Sequence, residues 1–310
     1  MNPEREPADH DAAAVEPLVS IVIPTYNRLG YLREAVASVQ GQTFERWELT
    51  VVDDGSTDGT GDYLSSLGDR RIRLERHEHC GNPARLRNVG VARSRGSHIA
   101  FLDSDDLWEP LKLQLQLAAM AESGCRWSHA GFDMVDASGR PVPFIAGGPW
   151  QPYSGDIVAP LLTTEAAVAI SSLVVERGLV GEVGGFDESQ RLLFREDYEF
   201  SLRLSLAGRT IAVPGPLCHV RHHPGRATLG RQDLYQRSAD AYRKVELLLP
   251  DARLRKLCRH RCALHLVADA DARRADGARG PAWRQLAKAF RYRPGYGRWW
   301  IVLVKLLLRR

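Results

Sequence analysis

The chain has 310 residues, 44% of them apolar, enough for one large α/β domain with an appendage or for two domains. Its five cysteines (Cys80, Cys125, Cys218, Cys258, Cys262) form no Cys-x-x-Cys pair, and an odd, scattered count speaks for a reducing compartment, not a disulfide framework. Net charge is only +4, but from Asp251 onward 16 Lys and Arg stand against 4 Asp, so the part before is acidic on balance. Met1 to Pro17 is polar and lacks an apolar signal-peptide core, and no apolar run approaches the roughly 20 residues of a spanning helix. These features exclude a disulfide scaffold and a helical membrane span, and predict a cytoplasmic protein with a flexible tail over residues 1–17.

Leu18 to Ile23 reads as a buried strand that Pro24-Thr25-Tyr26-Asn27 breaks into a loop, before Leu32, Val36 and Val39 recur at helical spacing. Leu49 to Val52 is a second strand, ending in Asp53-Asp54-Gly55-Ser56-Thr57-Asp58-Gly59, and Ile72 to Leu74 a short third. Pro83 to Ser94 has helical spacing through Leu86 and Val91. Ile99 to Leu102 is a fourth strand running into Asp103-Ser104-Asp105-Asp106, and Leu111 to Met120 is an apolar-striped helix. Strands alternating with helices predict a mostly parallel α/β sheet with helices on both faces. Ligands of such sheets bind at the carboxyl ends of the strands. Pro24-Thr25, Asp53-Asp54 and Asp103-Ser104-Asp105 all fall on that one edge.

Carboxylates crowded as in Asp103 to Asp106 repel one another, so a positive group belongs among them. Oxygen ligands at a strand end suit Mg2+ or Mn2+, whose usual companion is a diphosphate. An isolated Asp-x-Asp would read as an acidic turn capping the next helix; the preceding strand and the companion motifs weigh against that.

Trp127 to Met134 has strand character with a turn at Ala137-Ser138-Gly139, and Pro141 to Pro160 reads as a Pro/Gly-rich loop. Ala169 to Val175 returns to strand. Gly184-Gly185-Phe186-Asp187-Glu188 then leads to Glu196-Asp197 and a helix with Phe200, Leu202, Leu204 and Leu206, ending at Gly208. Acids at a helix start are by themselves ordinary dipole complementation. After a strand-like Ile211 to Val213 comes His219-Val220-Arg221-His222-His223-Pro224-Gly225. Farther on, Cys258 and Cys262 share a helix face that His260 does not, so core cysteines are expected there instead of zinc ligands. The end, Arg291 to Arg310, pairs tryptophans and arginines with a short apolar run. It suits a helix lying on an anionic membrane surface, with packing on the enzyme body or a partner as the plainer alternative.

Taken in order and spacing, Val19 to Arg28, Val51 to Asp58, Arg87-Asn88-Val89-Gly90 and Phe101 to Asp106 resemble family 2 of the inverting glycosyltransferases, with the GT-A fold, over roughly Leu18 to Gly225. The resemblance implies a GT-A, Rossmann-like domain whose residues 18–125 bind a nucleotide-sugar and whose residues 126–230 bind acceptor and catalyse, followed by a basic helical extension over 231–310. It implies that Pro24, Tyr26 and Asp54, with Thr25 at the same strand end, line the nucleotide. Asp103 would reach the ribose, and Asp105 would hold the metal on the diphosphate. The family's Gly-Gly-Phe-Asp segment and following Glu-Asp pair map to Gly184–Asp187 and Glu196-Asp197, making Asp197 the catalytic base with Glu196 beside it. The Arg-x-His-Pro-Gly stretch would bring His223 and Arg221 to the metal or diphosphate, unless it is a polar loop with incidental histidines. Arg87 would assist on phosphate, or lie on a solvated helix face.

The expectation is a metal-dependent single-displacement transfer from a UDP-, dTDP- or GDP-sugar to a hydroxyl of a saccharide or lipid-linked acceptor, in polysaccharide or glycolipid assembly. The protein would sit peripherally on the inner face of the cytoplasmic membrane. A sugar-nucleotide nucleotidyltransferase would want a Gly-rich phosphate loop where Pro24-Thr25-Tyr26-Asn27 stands. A binding module whose basic tail holds nucleic acid would leave the acidic strand ends unexplained, and no nucleic-acid motif is present.

Overall fold

Val19–Thr25 (β1) and Trp47–Asp53 (β2) are buried at every position, as continuous branched apolar runs require of strands covered on both faces. Between and after them come Leu29–Gln40 (α1), Thr60–Ser66 (α2), Ile72–Arg76 (β3), Pro83–Arg93 (α3) and His98–Phe101 (β4). The N-terminus of α3 is written into the chain: Asn82 Oδ1 accepts from Ala84 N–H at 3.1 Å, and Pro83 occupies the first helical position, where no N–H is needed. These coordinates, a computed structural model, describe residues 18–144, 150–226, 233–295 and 297–307. The tail read over 1–17, residues 145–149 of the Pro/Gly-rich stretch, and the terminal Arg309-Arg310 of the basic end lie outside the described residues.

The second half comprises Leu107–Trp108 (β5), Lys112–Ser123 (α4), Trp127–Val135 (β6), Pro141–Val142 (β7), Val158–Thr163 (α5), Leu173–Glu176 (β8), Arg177–Glu182 (α6), Glu196–Ala207 (α7) and Ile211–Arg221 (β9). Then follow Leu234–Glu246 (α8), Ala252–Ala275 (α9), Arg279–Tyr292 (α10) and Arg298–Leu307 (α11). One sheet runs in the order β3-β2-β1-β4-β8-β6-β9-β5, with β7 paired to β6. It is parallel from β3 to β4, as alternating strands and helices predict. Beyond β4 it is mixed: β8 runs antiparallel to both β4 and β6, and β5 to β9.

Two of the segments read as irregular are ordered differently. Val158–Thr163 is helical inside the stretch read as loop. The strand expected only over Ile211 to Val213 continues to Arg221, because register shifts at Gly131 absorb Pro214-Gly215-Pro216 as a bulge. One core cluster joins β1 and β2 to α1, α4 and Trp108. The other runs from Phe101 and Trp127 through Phe200 to Cys262, Leu286 and Val302, so the helical extension packs into the same core as the second half of the sheet. Cys258 and Cys262 are buried against α8, with Cys258 Sγ donating to Tyr242 O at 2.9 Å.

Candidate active-site cleft

The carboxyl ends of β1, β2 and β4 open on a cleft of about 420 Å3. Pro24, Thr25, Tyr26 and Asp54 line it from β1 and β2, Arg87 from α3, Asp103 and Asp105 from the loop after β4, and Glu196 and Asp197 from the start of α7. Of the residues singled out in the sequence, only Arg221 and His223 are not in the lining.

At one end the Tyr26 and His79 rings stack with centroids 4.0 Å apart and planes at 21°. Asp54 is buried beneath them. Its Oδ1 accepts from Cys80 N–H and its Oδ2 from Gly81 N–H, each at 2.8 Å, so this carboxylate fixes the turn that carries His79. A carboxylate oxygen has a second lone pair, which leaves acceptor capacity for a ligand N–H. Thr25 Oγ1 is buried without a partner among the described residues, a further polar atom at this end.

Asp103, Asp105 and Asp106 all line the cleft, but the Asp106 carboxylate is buried and held from behind, accepting from Ser171 Oγ at 2.6 Å and from Arg221 N–H at 2.9 Å. Burial, followed by the neighbouring charges of Asp105 and Asp103, pushes the Asp106 carboxyl well above the usual carboxylate range. Ser171 Oγ also accepts from Asp103 N–H at 3.0 Å, so one hydroxyl sets the loop's course. Arg221 lies behind that loop, fully buried. Its Nε donates to Asp105 O, its Nη1 to Ala137 O and its Nη2 to Glu34 Oε2, at 2.9, 2.9 and 2.7 Å. It therefore shapes the acidic loop, while the approach to a diphosphate expected of it is not part of this arrangement.

His223 is buried with Nε2 2.9 Å from Asp105 Oδ2. Arg28 Nη1 lies 2.9 Å from that same carboxylate oxygen and 2.9 Å from the same ring nitrogen. A guanidinium charge thus sits where an imidazole nitrogen and a carboxylate oxygen converge. That donor pair suits Mg2+ or Mn2+, which are commonly held by one or two protein groups plus substrate phosphates. Among the described residues no cluster of three or more His, Cys, Asp or Glu is assembled. An ion there would draw its other ligands from substrate and water.

Across the cleft, Arg87 is buried, which removes the solvated-face alternative. Its Nη2 donates to Asp103 Oδ1 at 2.7 Å and its Nη1 to Glu196 Oε1 at 2.8 Å, while its buried Nε has no partner among the described residues. Glu196 is buried, with Oε2 unpartnered among the described residues. Burial pushes its carboxyl up, Arg87 opposes, and the adjacent Asp197 charge adds to the rise. Asp197 is half-buried in the lining, its Oδ1 accepting from Tyr198 N–H at 2.7 Å. Asn88 clips the two halves together: its Oδ1 accepts from Phe186 N–H at 2.8 Å and its Nδ2 donates to Phe186 O at 2.9 Å. Arg87-Asn88-Val89-Gly90 and Gly184–Asp187 are therefore two sides of one joint.

Sequence reasoning passed over Arg28, His79 and Phe194, all in the lining. Arg28 had a signal, directly following the turn after β1. Phe194 had none; its φ of 64° is a left-handed conformation unusual for an aromatic residue.

Residues 20–144 match the family model described as glycosyl transferase family 2. TuaG of Bacillus subtilis (strain 168), a glycosyltransferase attributed to teichuronic acid biosynthesis, is 40% identical over 129 residues, 41% of this chain and 51% of the relative. WfgD of Escherichia coli, a UDP-Glc:alpha-D-GlcNAc-diphosphoundecaprenol beta-1,3-glucosyltransferase by name, is 34% identical over 129 residues, 42% of this chain and 51% of the relative. The chain thus spans about half the length of these two relatives. Among solved structures, a fragment of Staphylococcus aureus TarS in complex with UDP-GlcNAc superposes with a TM-score of 0.64 at 19% identity, covering 88% of each chain. The mannosyltransferase PcManGT of Pyrobaculum calidifontis, in complex with GDP-Man and Mn2+, superposes with a TM-score of 0.57 at 18% identity, covering 95% of this chain and 81% of the other. At such identities the likeness is one of fold. Residues 20–144 are thus similar to glycosyl transferase family 2, within a chain that has the GT-A fold.

Proposed function

We propose that the protein is an inverting glycosyltransferase that moves one sugar from a nucleoside-diphosphate donor to a hydroxyl acceptor in a single displacement. The observation that carries this reading is one cleft bringing Asp54, Asp103 and Asp105 of the strand ends together with Asp197 of α7. In it the Tyr26–His79 stack, with Pro24 and Thr25, receives the base, and Asp54 accepts an imino N–H of uracil, thymine or guanine. Asp103 binds ribose hydroxyls. Asp105 and His223 hold Mg2+ or Mn2+, which when bound neutralises charge growing on the departing diphosphate. Asp197 takes the proton from the acceptor hydroxyl as that oxygen bonds to the anomeric carbon opposite the breaking bond, and the configuration inverts. Arg87, through Glu196, positions the turn that carries Asp197. Residues 18–125 form the donor half, 126–230 the acceptor half and 231–310 an extension.

The acceptor is a saccharide or lipid-linked glycan in polysaccharide or glycolipid assembly, in keeping with the diphosphoundecaprenol in the name of WfgD. Peripheral contact with the cytoplasmic face of an anionic membrane is proposed through α11. Trp299, Val302 and Leu306 dock on the body, while Trp300, Ile301, Val304 and Leu307 remain exposed beside Arg298 and Lys305. No helix among the described residues is long and apolar enough to cross a membrane.

The test is a thermal-shift and donor-hydrolysis panel of UDP-, GDP- and dTDP-sugars with and without Mn2+, on wild type, Asp105→Ala and Asp197→Asn. Metal-dependent stabilisation by one nucleotide, abolished in Asp105→Ala, is expected. So is turnover reduced by about 10²- to 10⁴-fold in Asp197→Asn with nucleotide binding retained. No nucleotide response from folded wild type would sink the reading.

A further inference from the structure

A second, larger cavity of about 980 Å3 lies between the segment after Phe186 and helices α8, α9 and α10. It and the donor cleft share one stretch of chain. Asp187, Ser189, Arg191 and Leu192 line the larger cavity, and Phe194, Glu196 and Asp197 line the cleft. Along the chain only Leu193 separates the two linings, and Phe194 on the cleft side is held in the left-handed region. Such strain persists where the surroundings over-determine it, which is common beside binding sites.

The cavity's chemistry is two-sided. Leu192, Leu247, Leu266 and Tyr292 give it an apolar lining, whereas six Lys and Arg against three acids give it a positive rim. Three of those cations are spent internally. Lys244 pairs with Asp187 and Glu199 at 2.7 Å, Arg243 with Asp240 at 3.3 Å and Arg259 with Glu246 at 2.5 Å. Arg191, Lys288 and Arg291 are exposed and have no ion pair or hydrogen bond among the described residues. A solvated lysine needs no partner, but three uncompensated cations around one concave apolar surface form a field that selects an anion with an apolar body. Guanidinium forks match phosphate oxygens in particular.

We propose that this cavity binds the lipid-diphosphate end of the acceptor, with the diphosphate on Arg191, Lys288 and Arg291 and the start of the chain against Leu192, Leu247 and Leu266. The inference rests on the transferase reading and names its acceptor class. Leu192 in the cavity stands five residues before Asp197 in the cleft, so the same segment serves both sites. The three cations are positioning residues for the acceptor, apart from the donor cleft.

The experiment titrates farnesyl diphosphate, inorganic pyrophosphate and farnesol calorimetrically into the full chain and into the triple variant R191Q/K288Q/R291Q. EDTA is present throughout, so that the metal-dependent diphosphate site at Asp105 does not contribute. Farnesyl diphosphate is expected to bind wild type at least tenfold more tightly than either fragment and to lose at least tenfold in the variant. Unchanged affinity in the variant would overturn the proposal. So would pyrophosphate binding as tightly as farnesyl diphosphate, meaning an anion site only, or farnesol doing so, meaning an apolar cavity only. Arg191→Glu alone, read the same way, serves should the triple variant fail to fold. The nucleotide thermal shift separates the two readings: its absence in wild type that binds farnesyl diphosphate sinks the donor reading alone, and its retention in a variant that has lost farnesyl diphosphate isolates the cavity.

Discussion

Arg87 Nη1 donates to Glu196 Oε1 at 2.8 Å, and through its other Nη the same guanidinium holds Asp103, so one buried cation ties the loop after β4 to the start of α7. Truncation to Arg87→Met leaves two carboxylates in the joint without their counter-ion, a class of change that costs about 3–5 kcal/mol. Chemical denaturation should show a loss of that order, and donor turnover should fall at least tenfold. Arg87→Lys is expected to restore part of the stability but little of the turnover, because an ammonium lacks the planar fork that spans both acids. Unaltered stability in Arg87→Met would contradict the role assigned to the bridge.

Arg28 occupies the point where Asp105 and His223 converge, so any divalent ion must compete with it. The Arg28–Asp105 pair is about one-fifth exposed on each side, and pairs in this range contribute at most about 1 kcal/mol. Arg28→Ala is therefore expected to bind Mn2+ in the absence of nucleotide roughly fivefold more tightly than wild type, measured by Mn2+ electron paramagnetic resonance. Equal or weaker Mn2+ binding by the variant would mean that Asp105 and His223 do not form the ion's site.

Gly90 faces β1 at a distance that admits no side chain, since a Cβ there would lie 2.3 Å from Val22 Cγ1. Val22 is itself fully buried, so neither partner has room to move. Gly90→Ala should cost about 1–3 kcal/mol, read as a lowered urea midpoint. It should also weaken nucleotide binding, because α3 carries both Arg87 and Asn88. Wild-type stability in the variant would refute this packing argument.

Lys112 is buried over the Trp108 ring, 4.1 Å from its centroid, with Nζ unpartnered among the described residues. Burial lowers its pKa from 10.5 to about 7. A cation whose folded pKa is depressed opposes folding in full below that folded value, and the penalty fades as pH rises toward the unfolded one. Lys112→Met should therefore stabilise the protein by on the order of a few kcal/mol at pH 6, with the gain shrinking steadily between pH 7 and 10.5. A gain independent of pH would show that Lys112 keeps its ordinary pKa in the folded protein.

The sequence by itself determined the first, parallel part of the sheet. β1, β2 and β4 are legible because parallel strands covered on both faces must be apolar throughout, and their polar carboxyl ends then fall on one edge whatever the rest of the chain does. Asn82-Pro83 marks the start of α3 for equally local reasons. Only the tertiary structure decided which acid of the loop after β4 is tied down. The Asp106 carboxylate is held because Ser171 and Arg221, far along the chain, supply buried donors. The same holds for Arg87, for which the sequence left a phosphate role and a solvated helix face both open, and which two acids from other elements bury. It holds for β9 as well, where a bulge opposite Gly131 carries a strand through prolines that read locally as its end. Local pattern records which atoms a segment must bury, whereas the direction of a charged side chain depends on partners that only long-range folding delivers.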